Sequence, residues 1–268
     1  MKAKSLVLAL ASCLFSLNLC ALTPACGGAR IDLIVDHGVD KEAETQARAA
    51  VKGVIDFFYN TYGLALERDI TIKLTCDKLN YKQAIKQMHG VSEAEALRRS
   101  ESSIGLQRQG TIIVDLGDIR SNYMQLFVLC HEIVHHFQGQ EARDKQGSIR
   151  WMSEGVADAI AAHILETVGV QGASGQKNRW TELIKKAPGW PGLDKLHSYN
   201  DWLAAVNAYG PSVTYKTSAL AVLTLVQWRG YKPLFTYFSA LKQTNPEEAF
   251  YQAFGSRIGD FEKQFRPF

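Results

Sequence analysis

The sequence is short of concentrated charge of either sign. Its 30 Lys and Arg stand against 27 Asp and Glu, a formal net charge of +3, and no stretch gathers basic residues with interleaved aromatics. That balance argues against a nucleic-acid partner. No acidic loop carries the ligand spacing of a calcium site, so no calcium is assigned. The apolar run over residues 6–19 is too short and wrongly flanked to be a transmembrane segment.

That run follows Met1-Lys2-Ala3-Lys4, a basic n-region ahead of an apolar h-region. It reads as a signal peptide over residues 1–21, with small-residue cleavage after Ala21 or Ala25, and predicts an exported chain, periplasmic or secreted. Leu10-Ala11-Ser12-Cys13 is similar to a bacterial lipobox, but acylation at Cys13 would leave an unusually short leader, so a lipoprotein is the lesser alternative. Cysteine is scarce in what remains: Cys26, Cys76 and Cys130. Export permits a Cys26–Cys76 disulfide.

With 46% hydrophobic and 21% charged residues, the chain can build a proper core, as one large domain or two small lobes. An N-terminal α+β part over residues 22–120 is expected, then a helical part over 121–268. Branched, alternating residues predict strands at 30–36, 68–76 and 110–115. Apolar residues near helical spacing predict a helix over 41–62, stopped by Gly63, and residues 80–103 read as helical, with a start at Ser92. A longer helix begins at Asn122, read as its cap with Gln125, and ends at Gly139. Aromatic stripes after residue 231 build a helical C-terminal lobe.

The chemistry sits on that helix. Cys130-His131-Glu132-Ile133-Val134-His135-His136 contains H-E-x-x-H, which places His131 and His135 one turn apart on one face, where both imidazoles can reach one zinc ion. From Glu132 a carboxylate can lean over a water beside the ion and act as general base. A catalytic zinc takes three protein ligands, and Glu154, nineteen residues after His135, supplies the third. Asp158, four residues on, shares the face of Glu154 and can accept the spare ring N–H of His131. Cys130 points away from this face and reads as core. His136 is rotated about a hundred degrees from His135 and reads as a surface residue or a neighbour of the ligands, while His163 is too far along to ligate. Gly155 implies close approach of the two metal-bearing helices, and Gly189-Trp190-Pro191-Gly192 marks a loop that could border a cleft.

H-E-x-x-H, eighteen intervening residues, then Glu with Asp four later resembles the gluzincin metallopeptidases, the thermolysin and aminopeptidase N superfamily of peptidase clan MA. Trp151-Met152-Ser153-Glu154-Gly155-Val156-Ala157 is similar to the second-helix signature of many small bacterial members. The resemblance covers roughly residues 110–230. It implies an α+β, zincin-like fold with a small mixed sheet, an active-site helix and a helical C-terminal lobe. It also implies one Zn2+ on His131, His135 and Glu154, with Glu132 as base, and an exposed sheet edge, placed at 110–115, on which substrate backbone pairs; an ordinary core strand is the alternative there. Tyr215-Lys216-Thr217-Ser218-Ala219 is similar to the Tyr-Glu-Lys-Gly-Ala segment of the aminopeptidase branch, whose tyrosine stabilises the oxyanion. The match is partial, with Tyr209 and His197 as substitutes for Tyr215.

The expected activity is therefore zinc-dependent hydrolysis of a peptide or protein substrate. An aminopeptidase-type exopeptidase is one alternative, although the Gly-x-Met-Glu-Asn segment that reads a free amino terminus is absent. A non-catalytic secreted protein with a structural zinc is another, but such sites are normally closed by four ligands. Nothing in these residues specifies an oligomeric state.

Overall fold

Runs of branched aliphatic residues come together as the parallel centre of a small sheet. The computed structural model describes residues 17–18, 25, 27–117 and 122–268. Strands β1 (Leu17–Asn18), β2 (Ile31–Val35), β3 (Ile70–Thr75), β4 (Gly105–Arg108) and β5 (Thr111–Asp115) lie in the order β1-β2-β3-β5-β4. β2, β3 and β5 are parallel, β4 runs antiparallel to β5, and β1 adds a two-residue antiparallel pairing on β2. The predicted strand at 110–115 is therefore interior, which selects the core-strand alternative over the exposed edge; on that side the edge is β4. Gly-Leu-Gln-Arg has neither branching nor apolar alternation to announce a strand, and its pairing with β5 makes it one.

The predicted leader lies outside the described residues apart from Leu17–Asn18, as do the Cys13 lipobox, Ala21 and Cys26 itself. The Cys26–Cys76 pairing that export would permit therefore also falls outside the described residues.

Helix α1 (Lys41–Tyr62) has the expected bounds because Asp40 accepts from the Glu42 and Ala43 N–H groups and Gly63 closes it at φ 69°. Helices α2 (Lys78–His89) and α3 (Glu93–Ser102, capped by Ser92) cover one face of the sheet, where Ile113 meets Tyr81, Ala84, Ile85 and Ala96. Ile112 and Val114 point to the other face, into the main core with α1 and α4 (Asn122–Ala142). The side chain of Asn122, its expected cap, is outside what the structure describes. Gln125 donates to the Leu116 carbonyl. Gly139 does not end α4, which continues to Ala142.

The remaining helices are α5 (Arg150–Thr167), α6 (Gln176–Lys186), α7 (Tyr199–Tyr209), α8 (Pro211–Arg229), α9 (Lys232–Leu241), α10 (Pro246–Phe254) and α11 (Ile258–Gln264). The fold is thus mixed α and β, mostly helical, with a small mixed sheet. One buried cluster takes residues from the sheet, α1, α4, α5 and the C-terminal helices. No helix among the described residues is long and apolar enough to cross a membrane.

Helix α5 is buried on nearly every side, and Gly155 explains how. A Cβ there would sit 2.5 Å from the Ser218 carbonyl oxygen and 2.8 Å from Val222. The close approach is therefore to α8, not to α4 as the shared-ion reading expected. Gly155→Ala should destabilise the chain by about 1–3 kcal/mol of overpacking, less the roughly 1 kcal/mol gained in helix propensity. Chemical denaturation measures this, and a variant more stable than wild type by the full helix-propensity gain of roughly 1 kcal/mol would refute the close contact.

Candidate metal centre and cleft

Helix geometry brings the two motif histidines together, and α5 brings the third donor to them. His131 Nε2 and His135 Nε2 lie 3.0 Å apart, and Glu154 Oε2 is 3.3 Å from the first and 3.5 Å from the second. A four-coordinate ion with ligands at about 2.0–2.1 Å would hold neighbouring donors roughly 3.3 Å apart. The three observed separations bracket that value, so the donor set fits a metal ion.

The outer ring nitrogens are also taken. His131 Nδ1 is 2.9 Å from Asp158 Oδ1, and His135 Nδ1 is 2.7 Å from Gln138 Oε1. Neither acceptor can donate, so both rings carry their hydrogen on Nδ1 and turn Nε2 toward the centre. Gln138 is itself fixed, accepting from Ser153 Oγ at 3.0 Å and donating to the Ser153 carbonyl at 2.9 Å. The three atoms facing one point are the kind of donor set that could hold a metal ion between them.

Charge around this centre is neutralised from behind. Lys216 Nζ lies 2.7 Å from Asp158 Oδ2, beneath the rings of Phe127 and Trp180 at 4.6 and 4.8 Å. Burial alone would raise both carboxyls; Lys216 and His131 hold Asp158 below the usual range, and His135, His131 and Arg150 hold Glu154 well below it. Glu132 has weaker help, and burial pushes its carboxyl up despite the neighbouring histidines.

The centre opens into a cleft of about 450 Å³ whose wall includes Gly105, Leu106, Gln107, Glu132, Asp144, Arg150 and Tyr215. Glu132 and Tyr215 thus line the same cleft as His131, His135 and Glu154. The Tyr215 ring is 6.4 Å from that of His131 and packs edge-on against Trp202 at 4.9 Å. The charge of Glu154 and burial hold its hydroxyl protonated far above the ordinary tyrosine value.

The opposite wall is the edge strand. Asp115 N–H donates to the Ile104 carbonyl, so alternation turns the backbone groups of Gly105 and Gln107 away from β5. A Cβ on Gly105 would come within 2.2 Å of Val128 and 3.4 Å of Glu132. Only glycine lets the edge lie this close to the Glu132 turn of α4. β4 and Gly105 were not foreseen, and neither were Gln138, Arg150 and Lys216. The i,i+3 spacing of Gln138 from His135 and the i,i+4 spacing of Arg150 from Glu154 were the available signals.

Other expected neighbours lie elsewhere. His136 is buried, not on the surface; loss of water and the charge of Arg68 depress its pKa to about 4, and it faces away from the metal donors toward Arg68 and Gly110. Cys130 is fully buried in the core, and burial raises its thiol pKa. His163 packs on Tyr231. Tyr209 is exposed near Gly189, and Trp190 packs on Phe268, so that loop does not line the cleft.

His197, a substitute for Tyr215 in the sequence reading, instead pairs with Glu262 at 2.5 Å, and Trp151 Nε1 donates to the same carboxylate at 2.8 Å. The Glu262 hydrogen bond raises the His197 pKa above its ordinary value. A folded pKa above the unfolded one contributes stability that is complete below about 6.5 and is lost as pH rises through the folded value. The Tm gap between wild type and His197→Gln should therefore be wider at pH 6 than at pH 9. A gap that widened toward pH 9 would reverse the sign.

A family model described as "Peptidase of plants and bacteria" matches residues 15–187. The matched stretch includes β4, Glu132, the three metal-competent donors and Asp158, and stops before Tyr215 and Lys216. No curated protein matches the chain.

Proposed function

Since the chain belongs to this family of peptidases of plants and bacteria, we propose that it is an exported, zinc-dependent metallopeptidase of the gluzincin type. The observation that carries the reading is the three-donor centre opening sideways into a cleft walled by a strand edge that is unpaired among the described residues. His131, His135 and Glu154 would hold one zinc ion. When bound, zinc supplies Lewis acidity, lowering the pKa of water and polarising a carbonyl oxygen.

The chain's own groups do the rest. Gly105 and Gln107 offer outward backbone donors and acceptors to an extended substrate, which adds as a further strand. Glu132 takes the proton of the attacking water, and its raised pKa suits returning that proton to the leaving amine. Tyr215, kept protonated, donates a hydrogen bond to the oxyanion as charge develops. Asp158 and Gln138 fix the two imidazoles in the ligating tautomer. Three protein donors beside an open cleft favour this reading over a closed structural zinc site.

Export rests on the basic and apolar N-terminal sequence. Cleavage after Ala21 would also remove β1 and leave β2 as a second sheet edge. The test of function is hydrolysis of an unstructured protein by the zinc-loaded chain. Loss of cleavage on chelation and recovery with zinc are expected, and cleavage indifferent to chelation would overturn the metal mechanism.

A further inference from the structure

Arg150 opens α5 four residues before Glu154 and takes one of its two carboxylate oxygens. Its Nη2 is 2.8 Å from Glu154 Oε1, while Oε2 is the oxygen directed at His131 and His135. The arrangement is built from several sides. The guanidinium lies over the Tyr199 ring at 5.6 Å, the Arg150 N–H is anchored to the His197 carbonyl at 2.8 Å, and the Trp151 N–H to the Leu196 carbonyl at 2.9 Å. Among the described residues, Arg150 Nε is buried without a hydrogen-bond partner.

We propose that Arg150 is a positioning residue that keeps Glu154 a one-oxygen metal ligand, and so keeps a coordination position open toward the cleft. The inference rests on the reading of His131, His135 and Glu154 as ligands. A carboxylate free at both oxygens can chelate an ion through both, and the second oxygen would occupy space needed by water or a substrate carbonyl. Arg150 prevents this by binding Oε1 through a charge-assisted hydrogen bond. The i,i+4 spacing holds cation and carboxylate on one helix face, so the division of the two oxygens is set before any ion arrives.

The test loads the full-length chain with Co2+, whose visible absorption is strong in four-coordinate sites and weaker at higher coordination number. Wild type is compared with Arg150→Met and with Arg150→Lys, which keeps a cation four residues before Glu154. The expected result is a loss of visible absorption in Arg150→Met, retention of the wild-type band in Arg150→Lys, and a fall in kcat/KM of about 10–100-fold in Arg150→Met. An unchanged Co2+ spectrum in Arg150→Met, with native far-UV circular dichroism, would overturn the proposal while leaving the metal site standing. Should that variant not fold, Arg150→Gln is read by the same spectrum. Wild type that takes up no Co2+ overturns the ligand reading and this inference together. Wild type that binds Co2+ but cleaves nothing overturns the peptidase reading alone, and the spectral comparison still decides the role of Arg150.

Discussion

Glu132→Gln is expected to lower kcat by about 10²–10⁴-fold, the range of general acid–base catalysis, with little change in KM and undiminished zinc binding. The side chains have the same shape, so packing against Gly105 and the cleft wall is kept. Gln can neither accept the proton of the attacking water nor return it to the leaving amine, and that proton relay is what the substitution removes. Metal content should not change, because the three donors within reach of one another are His131, His135 and Glu154, and Glu132 is not among them. A loss seen only in the transition state lowers kcat and kcat/KM together. If kcat were preserved, Glu132 would not be the base; if zinc were lost as well, Glu132 would belong to the ligand set.

Zinc should also stabilise the fold strongly. The donors come from α4 and α5, two helices at the centre of the main core, so an ion joining them favours the folded chain over the unfolded one. At a thousandfold excess of free zinc over its Kd, the gain is about 4 kcal/mol. For a chain of this size that corresponds to a Tm increase of about 10 °C, at 2–4 °C per kcal/mol. Thermal unfolding of chelated and zinc-loaded protein measures it. The shift should disappear in Glu154→Ala, which removes a ligand; a zinc-dependent shift of equal size in that variant would place the ion elsewhere.

What the sequence made legible follows from how local each determinant is. His131, His135, Glu154 and Asp158 could be grouped because the helical repeat alone puts His131 with His135 and Glu154 with Asp158, and the pairing of the two helices was the only tertiary step. Helix α1 was readable to its ends because Asp40 and Gly63 terminate it locally. The interior position of β5 was not readable, since Thr-Ile-Ile-Val-Asp reads alike at an edge and in the middle of a sheet. β4 had no pattern of its own, because a four-residue strand containing Gly, Gln and Arg forms by pairing with β5.

Lys216 shows the same limit at the site. In the sequence it was a departure from the aminopeptidase pattern; in the fold it becomes the counter-ion of Asp158, from a helix 58 positions further along the chain. Gly155 signalled close packing correctly, but only the fold names α8 as the neighbour. His136 illustrates the converse. Its rotation away from the ligand face was predictable from helix geometry, whereas its burial depends on the Arg68 and Gly110 turn that covers it.

The most direct test of peptidase function is mass-spectrometric mapping of the bonds cut in a diverse peptide mixture by the zinc-loaded mature chain, beside Glu132→Gln. Internal cuts made by wild type and absent from the variant are the predicted result, as expected for an extended substrate laid along β4 past Glu132. Identical cuts in both samples, or none from wild type shown to hold one zinc ion, would contradict it.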